Sequence, residues 1–188
     1  NGALLYTRTA GPESVNVQTA CPEVSHSVRI TGDSLTVDGK PVPVSSTGRA
    51  LLTEIYKEHI GDYPKFHKMD MFTRLVFVAS ELLIQQEEEK ASDDRAIILY
   101  NSSSSVVADR KHIATTFSDE GFFPSPSVFL YTLPNIVTGE IAIKHGYKGE
   151  TSLYILDSRN DGLMEQITSS SFSQSETASI LTGWVDCS

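Results

Sequence analysis

Residues 95–100 read Arg-Ala-Ile-Ile-Leu-Tyr, and past the arginine the only polar atom on a side chain is the tyrosine hydroxyl. A strand that alternates apolar and polar residues can keep one face in water. An unbroken apolar run cannot, so this segment predicts a strand covered on both faces, as in a parallel sheet with helices packed on it. That expectation restricts the chain to layered α/β architectures, and the neighbouring segments agree. Residues 71–88 place Phe72, Leu75, Val76, Ala79, Leu82 and Leu83 at helical spacing. Residues 49–60 do the same with Leu51, Leu52, Ile55 and Tyr56, after a capping run Ser45-Ser46-Thr47 and before Gly61. Residues 63–70 read as a loop, and the acidic 87–89 as a solvated helix end. Asp93-Asp94 reads as a turn into the apolar strand. Further strands are predicted at 151–156 and 178–185, a helix at 135–145 closed by Gly146, a helix beginning at 160–168, and a polar loop at 169–174. Residues 112–120 read as a helix or loop ahead of Phe122-Phe123. The order β-α-β-α-β from residue 95 onward predicts a mixed sheet with helices packed on it.

Residues 1–47 have a different texture. Val15 and Val17, Val28 and Ile30, Leu35 and Val37, and Val42 and Val44 alternate in the manner of half-buried strands. Asp38-Gly39 lies between two of these runs and predicts a hairpin over 35–44, because a type I′ turn needs positive φ at both central residues. The expected organisation is a β-rich N-terminal extension, 1–47, followed by one α/β unit, 48–188.

Bulk properties narrow the functional classes. The 188 residues carry a formal net charge of −9 with no Lys/Arg run, which argues against a nucleic-acid surface. No apolar run is long enough to span a membrane. The two cysteines, Cys21 and Cys187, lie far apart and form no C-x-x-C pair, so no disulfide framework is expected. With no recognisable signal segment the expected location is cytoplasmic. No metal ligand set and no cofactor motif is legible. The run Ser102–Ser105 after the apolar strand lacks the glycines and lysine of a phosphate-binding loop.

The most specific motif lies in 124–150. Pro124 and Pro126 stiffen its start, and Thr132, Leu133, Pro134 and Asn135 form a sharp bend before the helix. Gly139, Ala142 and Ile143 follow within that helix, then Gly146 and Gly149 turn the chain into the 151–156 strand. These nine positions between 132 and 149 resemble, in order and spacing, the segment of β-ketoacyl-acyl-carrier-protein synthases that leads into their nucleophilic cysteine. Lys68-Met69-Asp70, Phe72 and Arg74 resemble a helix start in the same family. Leu181, Gly183 and Val185 resemble its last strand, and Val28 to Gly32 echoes its first. The resemblance covers 66–186 and implies half of a thiolase-like fold.

It also says where chemistry should sit. The family nucleophile, counted forward from Gly149, falls on Ser158, and counted back from Gly162 it falls on Arg159. Neither is cysteine, so no catalytic residue of the family is carried over. Residues 11–21, ending Thr19-Ala20-Cys21, imitate the family's nucleophile strand. They lie far upstream of the segment that should precede it, and Pro22 follows directly. Cys21 therefore reads as an ordinary thiol. Ser158 could be a nucleophile of another kind only with an adjacent base. None of His26, His59, His67, His112 and His145 lies in a recognisable motif, and His145 reads as a cation at a helix C-terminus. Asp157, Ser158 and Asp161 read best as an Asx turn and helix cap.

The resemblance thus implies a non-catalytic, ketosynthase-like companion in fatty-acid-like or polyketide-like biosynthesis, a pseudoenzyme. The histidines of the family's second half are not found in this sequence, so condensation by this chain alone is not expected. The strand Thr151, Ser152, Leu153, Tyr154, Ile155 and Leu156 corresponds to the family's dimerisation strand, which implies a homodimer or a heterodimer with a full-length ketosynthase. An acidic acyl carrier protein is a further implied partner, with Arg49, Lys65, Lys68, Arg74, Lys144 and Lys148 as candidate contacts. Two rival expectations stand beside this one: an acyl-thioester or ester hydrolase using the Asp157-Ser158-Asp161 cluster, and a degenerate remnant with a structural role only.

Overall fold

The computed structural model of the chain describes residues 2–9, 23–116, 125–174 and 177–187. The readings on Val15, Val17 and Cys21, and those on Phe122, Phe123 and Pro124, lie outside the described residues. The described chain forms one seven-stranded mixed sheet flanked by six α-helices. The first strands are β1 (Gly2–Thr9), β2 (Glu23–Ile30), β3 (Leu35–Val37) and β4 (Lys40–Val42). Later come β5 (Ala96–Asn101), β6 (Thr151–Ile155) and β7 (Ser179–Asp186). The spatial order is β4-β3-β2-β1-β7-β5-β6. The last three positions run parallel, and β1 joins them to the N-terminal meander by pairing antiparallel with both β7 and β2.

The apolar run behaves as expected: every residue of β5 is 0 % exposed. Its side chains alternate between two cores. Ile97 and Leu99 join the larger one with residues of β1, β2, β3 and β7. That core is closed by α1 (Gly48–Ile55), α2 (Met71–Ile84) and α5 (Ile136–His145). Ala96, Ile98 and Tyr100 face the other way, onto Met164, Ile167 and Phe172 of α6 (Asp161–Gln174). Helices α3 (Val106–Thr116) and α4 (Pro126–Leu130) lie between β5 and α5 in the chain.

Asp38 and Gly39 turn the β3–β4 hairpin with φ of 48° and 73°, the primed geometry the dipeptide predicts, although β4 stops at Val42. The 49–60 helix starts at Gly48 and continues past Ile55 as a π-turn, Tyr56–Ile60, before Gly61 at φ 70°. The predicted caps work differently. Thr47 makes no side-chain cap bond, and Ser45 instead donates through its N–H and hydroxyl to Glu54. The loop 63–70 contains a 3₁₀ turn, Pro64–Lys68, that stacks Phe66 on Tyr56 with ring centroids 3.9 Å apart.

Three sequence readings need correction. The acidic end of α2 is not uniformly solvated: the helix stops at Ile84, and Glu87 folds back to pair with the buried Arg95. Residues 169–174 are not a polar loop, because α6 runs through them to Gln174. Serine and threonine disfavour helix interiors when their hydroxyls compete for backbone partners. Here Thr168 meets the Tyr100 hydroxyl at 3.0 Å and Ser171 donates to Glu150 at 2.7 Å. Third, α3 begins at Val106, well before His112, since the serine run closes into a turn that launches the helix.

Helices α2 and α5 are joined by a charged cluster. Glu81, 5 % exposed, accepts from Lys144 and lies 2.7 Å from His145 Nε2. Lys144 also lies over the rings of Tyr63 and Phe77. His145 is therefore an ion-pair partner across two helices as well as a cation at a helix end. Burial pushes the Glu81 carboxyl up, but the hydrogen bonds and charges of His145 and Lys144 outweigh it and hold the group below 4.5. A carboxyl with a depressed folded-state pKa contributes stability above its unfolded value and loses it as the pH falls through the folded value. Glu81→Gln is thus expected to cost about 3 kcal/mol near neutrality. The gap between the two proteins should narrow as the pH falls below the ordinary glutamate range and through the lowered folded-state value, as urea titrations at several pH values will show. A gap that stays constant with pH would mean that the charge on Glu81 is not what stabilises the contact.

Candidate functional site at the strand ends

In open α/β sheets ligands gather beyond the C-terminal ends of parallel strands. In this protein that edge is built by the residues following β5, β6 and β7. After β5, the Asn101 side chain bridges Ser104 through both its amide groups, at 3.0 and 3.2 Å. The backbone carbonyl of Asn101 accepts from Leu156 N–H at 2.9 Å, tying β5 to β6. Asp186, at the end of β7, accepts from the Ser102 hydroxyl at 2.7 Å and from the Ser103 hydroxyl at 3.3 Å. Ser105 donates to the backbone carbonyl of Thr132 at 2.7 Å. The serine run is thus spent on holding three segments together, and where two of these hydroxyls converge, the Asp186 carboxylate already occupies the point and would repel a second anion.

The motif of residues 132–149 starts at this edge and runs through α5 to the opposite one, where the chain enters β6. Thr132 takes the Ser105 bond, and Leu133 is 48 % exposed. Asn135 precedes α5 without a side-chain cap bond, although its carbonyl accepts from Gly139 N–H and the Thr138 hydroxyl. Gly146 ends α5 at φ 75°, a left-handed conformation in which glycine carries no Cβ penalty. Gly149 is required for space: a Cβ there would lie 2.2 Å from the Asp94 carbonyl oxygen and 2.5 Å from that of Arg95. At this point the chain entering β6 presses on the chain entering β5. Gly139 has open space around its Cβ position, so packing does not explain it.

Between β6 and α6 the chain makes the elbow on which the two nucleophile registers fall. Ser158 is exposed, and no hydrogen bond of its side chain is found among the described residues. Arg159 is held by Asp161, Nε to Oδ1 at 2.6 Å, and that bond raises the guanidinium pKa further. Asn160 caps α6, its side chain accepting from Leu163 N–H at 3.0 Å. Asp161 is committed to Arg159, and the cap is Asn160. The cap expected of Asp157, Ser158 and Asp161 is made by Asn160 instead. No group of three or more His, Cys, Asp or Glu residues that could hold a metal is found among the described residues.

A second feature of the edge was not legible in the sequence. Cys187 follows β7 and lines an apolar cleft of about 320 Å³ with Ile30, Leu52, Met71, Leu75 and Val107. Burial pushes its thiol pKa up, which disfavours the reactive thiolate. Of the basic residues considered for a carrier, Arg74 is a correction: it is 7 % exposed and donates to the carbonyls of Met69 and His67. Its role is to fasten the turn before α2. Lys65, Lys144 and Lys148 pair with Glu140, Glu81 and Asp93 respectively, and Arg49 and Lys68 are exposed.

No family model matches the chain, and no curated protein matches it in sequence. The fold defines the class: an α/β protein whose mixed sheet is covered by helices on both faces. No helix among the described residues is long and apolar enough to cross a membrane.

Proposed function

We propose that this chain is a non-catalytic, ketosynthase-like companion protein of fatty-acid-like or polyketide-like biosynthesis, acting through pairing at β6. The observation that carries the reading is the state of that strand. It pairs with β5 on one side and forms the edge of the sheet on the other. Its five residues include no charge and no proline, the usual devices that blunt an edge, and Tyr154 and Ile155 are 37 % and 53 % exposed. An edge of this kind favours a strand from a second copy or from a full-length ketosynthase. An acyl carrier protein is a further candidate partner, with Arg49 and Lys68 the basic residues free to meet it. The elbow supports the absence of catalysis, since the nucleophile position falls on exposed Ser158 or on Arg159 held by Asp161.

The test is direct. The chain should elute as a concentration-dependent dimer, or co-purify from its own host with a ketosynthase, and Ile155→Lys should abolish either association while leaving the fold intact. A protein that stays monomeric at high concentration and captures no synthase would overturn the proposal. Acyl-thioester turnover by the purified chain, lost in Ser158→Ala, would favour the hydrolase reading instead.

A further inference from the structure

A cavity of about 370 Å³ opens where three segments meet: the 3₁₀ turn and cap before α2, the helix α3, and α4 with the residue after it. Ala108, Val128 and Tyr131 give it an apolar wall. Lys68 and Lys111 line it from different elements, and both are exposed. Neither forms an ion pair among the described residues, although Asp70 lines the same cavity. Asp70 is committed to the cap of α2, accepting from Thr73 N–H at 2.9 Å. One unpaired lysine is ordinary at a surface. Two that line a single cavity repel each other, and a counter-ion between them removes that cost. Tyr131 adds a second observation. It is 8 % exposed, yet no hydrogen bond to its hydroxyl is found among the described residues, and that oxygen is not among the polar atoms sealed from the surface.

The charges around the cavity set the charge of what fits it. Two ammonium groups against the Asp70 carboxylate leave a single positive charge in surplus, which matches a monoanion better than a dianion. Burial, and then the Glu140 and Asp70 carboxylates, push the Tyr131 phenol up, so it stays a neutral donor and adds no negative charge. A carboxylate between the lysines takes charge-assisted hydrogen bonds from both. The apolar wall suits a hydrocarbon or aromatic body, and a volume near the low end of the roughly 300–1,000 Å³ of small-molecule sites keeps that body compact. We propose that this cavity binds a compact organic monocarboxylate, its acid group between Lys68 and Lys111 and its apolar body against Val128 and Tyr131. The proposal is independent of pairing through β6.

Calorimetric titration of the intact chain with benzoate should show saturable binding that weakens as salt is raised. Benzyl alcohol, which keeps the ring but lacks the charge, should bind at least about tenfold more weakly. Phenyl phosphate, which carries a second negative charge, should bind no more tightly than benzoate. Lys68→Met and Lys111→Met keep an unbranched stem at exposed positions, and each should weaken benzoate about tenfold with unchanged circular dichroism. Lys111→Arg, which keeps the charge, should retain binding. Absence of saturable benzoate binding to the wild-type chain, by calorimetry and by saturation-transfer NMR, would overturn the proposal. So would equal affinity for benzyl alcohol, tighter binding of phenyl phosphate, or undiminished binding by the two methionine variants.

Discussion

Gly183→Ala is expected to remove most of the folded protein at room temperature, with a loss of more than about 4 kcal/mol against a typical total of 5–15 kcal/mol. Gly183 lies in β7 at φ 155°, where it pairs with Leu5 of β1. A Cβ at this position would lie 2.0 Å from the Leu4 carbonyl oxygen and 2.8 Å from the Leu5 Cα. Those are backbone atoms of a central strand, so relief requires β1 and β7 to separate, and that pairing joins the N-terminal meander to the parallel strands. The neighbouring Trp184 offers a built-in readout through fluorescence and near-UV circular dichroism. A variant with wild-type thermal midpoint would show that the two strands can part at little cost, against the close approach described above.

Arg95→Leu is expected to cost about 3–5 kcal/mol, because it strands a carboxylate. The Arg95 side chain is 3 % exposed and that of Glu87 is 11 % exposed. Arg95 Nη1 donates to Glu87 Oε2 at 3.0 Å, and Nη2 lies 2.8 Å from Oε1, off the hydrogen-bonding direction. Its Nε–H donates to the Ser179 hydroxyl at 2.9 Å, and its guanidinium lies over the Tyr147 ring. One residue thereby fastens the end of α2, the start of β7 and the turn after α5. The double variant Arg95→Leu/Glu87→Leu removes both charges and should recover much of the loss, since replacing a buried pair is far cheaper than breaking it. Urea denaturation of the three proteins gives the comparison. A double variant as unstable as the single would place the cost in lost packing and in the Ser179 and Tyr147 contacts.

The contrast between Arg95 and its strand shows what a sequence does and does not reveal. Residues 96–100 announced their own burial because hydrophobic periodicity is local, and the Asp38-Gly39 turn was legible for the same reason: each signal is complete within a few residues. Glu87 was misread because its partner lies beyond a turn, and a charge run looks solvated until tertiary structure supplies a counter-ion. The serines of α6 misled in a similar way, as their partners Tyr100 and Glu150 come from other elements. β1 was only diffusely legible as part of a β-like N-terminal region, although its place between β2 and β7 makes it central. At the elbow, the spacing found Ser158 and Arg159 as the positions to inspect. It could not foresee that Asn160 makes the cap and Asp161 holds the arginine.

The pairing of β1 with β7 has a consequence for how the sheet is made. These strands are neighbours in space and nearly the whole described length apart in sequence. Bringing them together closes a very long loop, and such closures are unfavourable until many contacts reward them at once. While β7 is still being synthesised, the meander β1–β4 and the strand β5 have no shared partner, and each presents an open edge to other chains in the cell. The sheet becomes one object only when its latest strand slots between its earliest strand and its most apolar one. Assembly of this sheet is therefore governed by β7, however strongly the earlier segments are predisposed to their own local shapes.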